Sequence, residues 1–335
     1  MPGRQAPHAS NRLISESNAE EKVSEMKKIL SISLGSESRD HRTVHEFLGV
    51  ECELSRKGFN ADLEKAIEAY KEYDGKVDAF GVGGIEFYLG VGNKRYYFRE
   101  ARQIRAAIQK SKVGDGNGVK GLLVKRALQA LESKLNEEGK TLKGMKALKT
   151  NAVDRYVMAA ALVEAGCDTT FGDLMFSLGI PIPLRILSSF RLLSAILLPF
   201  ITKIPFKWFY PLGSEQDNDP EPKWTKYYNE ATVIAGDFVS VRMSMPDDLT
   251  GKIIVTNTTT AKNVEELRER GLHILATSTP RLEGRTFGTN VMEAVCRCLV
   301  DKPDDQITDK DIADLIERIP LKPQVQSDRS SFDRG

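Results

Sequence analysis

K-G-M-K-A-L-K-T-N-A-V-D-R-Y-V-M-A-A-A-L-V-E-A-G-C-D-T-T-F-G-D, residues 143–173, is the stretch on which the reading of the fold turns. Residues 145–150 predict a strand, 155–165 a helix that Gly166 ends, and 167–174 a second strand. Strand, helix, strand is the unit of a parallel sheet, in which a crossover helix returns the chain to the edge where it began. The same alternation continues downstream. Residues 232–238, 252–257 and 272–277 predict further strands, and 264–270 a helix capped by Gly271. A long helix at 290–299 is expected to complete this second sheet.

Upstream, residues 28–35 form a branched apolar run that ends in a Gly/Ser turn. Leu63, Ile67 and Tyr70 recur at helical spacing, Asp74-Gly75 turns the chain, and residues 77–84 predict a strand running into glycines. Helices are predicted at 98–110 and 119–135, separated by G-D-G-N-G at 114–118. The fold class is α/β: an N-terminal α/β domain at 27–120, a connecting helix at 121–141, and a Rossmann-like parallel-sheet domain at 142–320. Residues 1–26 and 321–335 read as loose polar tails.

Length and composition agree with two cores. A chain of 335 residues exceeds the usual single domain, and 41% apolar with 28% charged residues excludes a wholly disordered or fibrous protein. Lys plus Arg number 48 against 47 Asp plus Glu, so no long-range field draws a phosphate backbone and nucleic acid is not expected as a partner. Cys52, Cys167, Cys296 and Cys298 lack metal-ligand spacing and read as reduced thiols. His41 and His45 find no third ligand, so no metal is expected. The first 26 residues have no apolar signal core, which points to a cytoplasmic protein; the lack of acidic residues before Glu16 leaves an organellar leader open.

One segment breaks the pattern. Residues 180–210 read I-P-I-P-L-R-I-L-S-S-F-R-L-L-S-A-I-L-L-P-F-I-T-K-I-P-F-K-W-F-Y, an apolar helical insertion. A membrane span needs about 20 uninterrupted apolar residues, and Arg185, Arg191, Lys203, Pro199 and Pro205 interrupt this one. Two short helices broken near Pro199 are expected. They would close over a ligand, pair in a homodimer, or lie in a membrane surface at the periphery.

Three motifs in order carry a family resemblance: D-G-N-G-V-K-G-L-L at 115–123, L-K-G-M-K-A-L-K at 142–149, and A-A-A-L-V-E-A-G at 159–166. The order resembles the shikimate and quinate dehydrogenases, in which a D-G-x-G-F-x-x-x-L turn and helix link a substrate domain to a Rossmann domain opening on L-K-G-K-x-V. Asp115, Gly116, Gly118 and Leu123 match, with Val119 in place of the aromatic. S-L-G-S-E-S at 33–38 resembles the family's S-x-S substrate turn, and I-I-V-T-N-T-T-T with E-E-L-R-E-R-G its later strand and helix. The similarity of order spans residues 28–300.

That resemblance implies an NAD(P)-dependent oxidoreductase acting on a hydroxyl or ketone of a small carboxylated substrate. It makes residues 27–120 the substrate domain and 142–320 the nucleotide-binding domain. Asp115 would exchange the proton, and Ser36, Ser38, Asn257 and Arg285 would hold the substrate. Asn151, Asp154, Arg155, Asp173, Thr256 and Thr277 would line the cofactor, NAD or NADP. Asp173 lies 22 residues beyond Asn151, where an acidic side chain binds ribose hydroxyls and so favours NAD. The sequence departs from the family twice. The loop that should carry a catalytic lysine reads F-G-V-G-G-I-E-F-Y at 80–88, so either Lys94 or another cation acts in its place, or the chemistry differs. The pyrophosphate turn reads T-N-A-V-D-R-Y at 150–156, without the glycines that admit a phosphate. Plainer roles stand beside these: Asp115 as a helix cap, Asp173 and the similar Gly236-Asp237 as turns. The alternative function is a non-redox Rossmann-like ligand-binding protein, or a membrane-surface enzyme on a lipid-like substrate.

Overall fold

The computed structural model describes residues 26–204, 219–279, 281–282, 285–319 and 322–327, with backbone alone at 281, 282, 285 and 286. Two sheets organise it. The first contains β1 (Lys27–Ser33), β2 (Arg42–Phe47) and β3 (Val50–Gly58); after helix α1 (Leu63–Tyr73) comes β4 (Ala79–Gly83). A hairpin of β5 (Tyr88–Val91) and β6 (Lys94–Tyr97) and helix α2 (Arg99–Ala107) precede β7 (Lys112–Gly114). The order is β2-β3-β1-β4-β7, parallel except for the antiparallel edge strand β2. Ile29 through Ser33 are all buried, as expected of a central parallel strand covered on both faces. Asp74 ends α1 and accepts the amides of Gln109, Lys110 and Ser111, which ties the helix to the start of β7.

Helix α3 (Asn117–Glu137) crosses to the second sheet. There follow β8 (Lys146–Lys149), α4 (Tyr156–Glu164), β9 (Asp168–Phe171), α5 (Asp173–Leu178), α6 (Leu187–Ile201), α7 (Thr225–Glu230) and β10 (Val233–Ala235). Next are α8 (Phe238–Arg242), β11 (Ile253–Thr256), α9 (Ala261–Glu269), β12 (Ile274–Thr277), the short pair β13 (Arg281–Leu282) and β14 (Arg285–Thr286), α10 (Thr289–Leu299), α11 (Asp309–Arg318) and β15 (Gln324–Ser327). The order β15-β12-β11-β10-β8-β9 is parallel apart from β15. Alternate residues divide between two cores: Ala147, Val233, Val255 and Ala276 pack under α3 and α4, while Leu148, Ile234, Ile254 and Leu275 pack under α8 and α9.

The α/β class and the parallel sheets agree with the sequence, and four details differ. Helix α10 does not join the second sheet. It returns to the first, lying on β1, β4 and β7 with Val291, Met292 and Val295 against Ile29, Leu54 and Ala79. That sheet would otherwise leave its second face to water. Residues 324–327, expected in a loose tail, pair with β12 as its edge strand. Strand β9 stops at Phe171, so Asp173 opens a helix instead of ending a strand. Helix α6 runs through Pro199, because a proline in the last turn forfeits only one intrahelical bond. Residues 1–25, 205–210 of the expected insertion, and residues 328–335 lie outside the described residues. Among those described, no helix is long and apolar enough to cross a membrane.

Candidate functional site

The D-G-N-G turn explains itself through its neighbour. Gly116 has φ +95°, and a Cβ there would lie 2.4 Å from Thr289 Oγ1 and 2.9 Å from the Asn290 amide. A Cβ at Gly114 would meet the Ala294 amide at 2.9 Å. The glycines therefore admit α10 to the turn. Glu293 of that helix, buried, accepts the Gly116 and Gly118 amides through Oε2 at 2.8 and 3.0 Å and Arg297 Nε through Oε1 at 2.7 Å. Burial raises its carboxyl, against the pull of Arg297.

Asp115 is also buried and braces the same turn. Its carboxylate accepts the Phe87 amide at 2.8 Å, the Asn117 amide at 3.0 Å and Asn117 Nδ2 at 2.7 Å. Lys94 stands exposed on β6, and no hydrogen bond or ion pair joins it to Asp115. Ser36 and Ser38 share a 2.7 Å hydroxyl contact, and Ser36 Oγ caps the turn after β1 by accepting the Ser38 amide. The Ser36 carbonyl accepts Arg56 Nη1 at 2.9 Å. The side chain of Arg285, like Glu283 beside it, lies outside the described residues.

The other predicted residues do converge, at the carboxyl edge of the second sheet. Arg155, buried, lies 3.5 Å from Asp154 Oδ2 through Nε and donates from Nη2 to Asp237 Oδ2 at 3.2 Å. Asn257 Nδ2 donates to the same Asp237 oxygen at 3.0 Å, and Asn257 Oδ1 accepts Thr256 Oγ1 at 3.1 Å. Thr277, also buried, donates to the Thr279 carbonyl at 3.4 Å. Asp237 in addition caps α8 by accepting the Val239 amide at 3.1 Å. Lys149 ends β8 with no exposure and donates to the Asn151 carbonyl. Burial pulls its ammonium down to about 8, opposed by Asp154, Asp173 and Asp237.

Asp173 meets the turn where a pyrophosphate was expected. Its two oxygens accept the Ala152 amide at 3.0 Å and the Val153 amide at 2.8 Å. Those are the donors a phosphate would use at that position; in this structure Asp173 braces the turn through them. Burial raises the Asp173 carboxyl to about 6, while the two amides and Lys149 oppose the rise.

Glu86 and Lys120 form an ion pair beside this edge. Burial raises the Glu86 carboxyl, and Asp154 and Asp115 push the same way while Lys120 and Arg155 oppose them. The two sheets thus share one band of ionisable groups, from Asp115 through Glu86 and Lys120 to Arg155 and Asp237. Sequence reasoning missed Glu86, Lys120 and Lys149. Lys149 alone left a signal, a cation ending an apolar strand. The inner face of α6 seals the seam beside the band: Phe190 stacks parallel on Tyr156 at 6.3 Å and tilts on Phe171 at 5.3 Å. With Leu198 it packs among Ile85, Leu89 and Phe98 of the first domain. A groove of about 530 Å³ is lined by Met175, Phe176, Gly179, Lys223, Trp224 and Ser244, none of them a member of this band. The hydrogen-bonding chemistry favours the band over the groove as the candidate site.

Residues 118–327 match the family model described as Domain of unknown function (DUF8754), and residues 28–115 that described as Domain of unknown function (DUF8753). No curated protein matches the chain. Among solved structures, the periplasmic binding protein component of the arabinose ABC transporter from Shewanella sp. ANA-3 is 10% identical, covering 87% of this chain and 95% of that one at a TM-score of 0.35. A galactofuranose binding protein is 12% identical over 77% and 85%, at 0.33. The NAD-dependent malic enzyme of Thermotoga maritima is 12% identical over 88% and 84%, at 0.34. Scores this low carry no functional argument. Several of the matches are to sugar-binding proteins, and neither the matches nor the family models name the shikimate and quinate dehydrogenases, so that resemblance and the oxidoreductase it implied are corrected. The physical reason lies in the motif that suggested them: its glycines serve the docking of α10.

Proposed function

The chain belongs to the family described as Domain of unknown function (DUF8754), and we propose that it binds a neutral, polyhydroxylated small molecule between its two sheets without redox chemistry. The observation that carries this reading is the set of Arg155, Asp154, Asp237 and Asn257 at the carboxyl edge, in which Arg155 and Asn257 hydrogen-bond Asp237 and Arg155 ion-pairs with Asp154. Open α/β sheets bind ligands at that edge. A hydroxyl both donates and accepts, and this set offers acceptors on two carboxylates and donors on a guanidinium and an amide. The wider band holds Lys120, Lys149 and Arg155 against Glu86, Asp115, Asp154, Asp173 and Asp237, so carboxyl groups outnumber cations and an anionic ligand is disfavoured. Ligand hydroxyls would replace the Arg155–Asp237 and Glu86–Lys120 pairs.

Thermal unfolding of the full chain with a panel of neutral pentoses and hexoses, and with NAD and NADP as comparison ligands, tests the reading. A sugar present at about 100 times its Kd adds about 2.7 kcal/mol to stability, a rise in Tm of about 4 °C for a chain of this length. Arg155→Ala and Asp237→Asn should each lower the affinity at least tenfold. Stabilisation by NAD or NADP with none by any sugar would overturn the proposal.

A further inference from the structure

Helix α6 is apolar on both of its faces. Phe190, Ser194 and Leu198 turn inward, while Leu192, Ile196 and Phe200 recur every fourth residue on the open side, 66%, 55% and 67% exposed. Ile182 and Ile186, in the segment leading into the helix, are exposed as well. A helix that is apolar all round belongs where water is excluded on every side, and nothing among the described residues covers the outer stripe. The segment that carries that stripe is cationic. Arg185, Arg191 and Lys203 are exposed and form no ion pair among the described residues, and residues 174–204 contain neither Asp nor Glu.

The charge decides between two occupants. A second copy related by a two-fold axis would set the same patch against itself, placing cations against cations; residues 174–204 supply no carboxylate of their own, although Arg185 shares a pocket with Asp168 and Glu230. Anionic lipid headgroups neutralise all three. We propose that the outer face of α6 docks on an anionic lipid bilayer. Leu192, Ile196 and Phe200 enter the acyl boundary, and Arg185, Arg191 and Lys203 reach up among the headgroups. At 15 residues the helix is too short to span and lies in the plane of the interface. This inference is independent of the ligand proposed for the cleft, because the stripe faces away from it.

The test is co-sedimentation of the full chain with phosphatidylcholine vesicles, with and without about 30% phosphatidylserine. Binding to the anionic vesicles, weakening with added salt, is expected, with little binding to the neutral ones. Each cation near the surface contributes roughly fivefold, so Arg185→Gln, Arg191→Gln and Lys203→Gln together should lower binding about 100-fold. Ile196→Glu with Phe200→Glu should abolish it. Both variants should keep the wild-type Tm and sedimentation coefficient, because these side chains lie outside the core. The proposal is overturned if the wild-type chain ignores anionic vesicles, or binds neutral ones equally well. It is also overturned if the chain is a dimer that Ile196→Glu with Phe200→Glu dissociates, which would assign the stripe to a second copy.

Discussion

Replacing Gly116 by alanine tests whether the D-G-N-G turn exists to seat α10. The substitution meets two separate costs. At φ +95° an L-residue is strained by about 1–2 kcal/mol. The new Cβ also falls 2.4 Å from Thr289 Oγ1 and 2.9 Å from the Asn290 amide, so α10 must shift, and overpacking of this kind costs about 1–3 kcal/mol. The sum, about 2–5 kcal/mol, corresponds to a fall in Tm of about 3–7 °C for a chain of this size. Differential scanning calorimetry reads it directly. Thr289→Ala removes the nearest atom while leaving the backbone strain, so in a double-mutant cycle the pair should be less destabilised than the sum of the singles by about 1 kcal/mol. A Gly116→Ala variant that melts within about 2 °C of the wild type would refute the account. So would strict additivity with Thr289→Ala.

Glu293→Ala leaves the Gly116 and Gly118 amides and Arg297 without their acceptor, and urea unfolding should register a loss of about 3–5 kcal/mol; Glu293→Gln should recover part of it. Asp173, with its carboxyl raised from 3.8 to about 6, binds its proton more tightly in the folded chain. Its contribution is therefore fully present below about pH 4 and is lost as pH rises to about 6, a change of about 3 kcal/mol. Asp173→Asn should flatten the stability profile across that window, and an unchanged slope would count against a buried carboxyl there. Lys149 has the opposite sign. Lowered from 10.5 to about 8, it makes the folded chain shed a proton first, so its contribution to stability rises with pH between about 8 and 10.5. The difference between wild type and Lys149→Met, followed by urea titration across that range, should show the rise.

Periodicity and turn chemistry were enough to determine the class of this protein: α/β with parallel sheets, and the strands at 145–150, 252–257 and 272–277. These are local properties, set by which residues repeat every second or every third to fourth position and where glycine lets the chain reverse. The carboxyl-edge residues Arg155, Asp237 and Asn257 were visible as polar positions following apolar strands. What each of them does was not, because Asp173 can hold a ribose or its own Ala152 and Val153 amides, and spacing is the same in both cases. The packing of α10 on β1, β4 and β7, the pairing of residues 324–327 with β12, and the juxtaposition of Glu86 with Lys120 all join positions far apart in the chain. Contacts of that kind leave no periodic trace, because they arise only when the folded sheets present an uncovered face or an unsatisfied charge that a distant segment can cover. The tertiary structure therefore decided that the glycines of D-G-N-G make room for a helix, and that the outer apolar stripe of α6 stands exposed among the described residues.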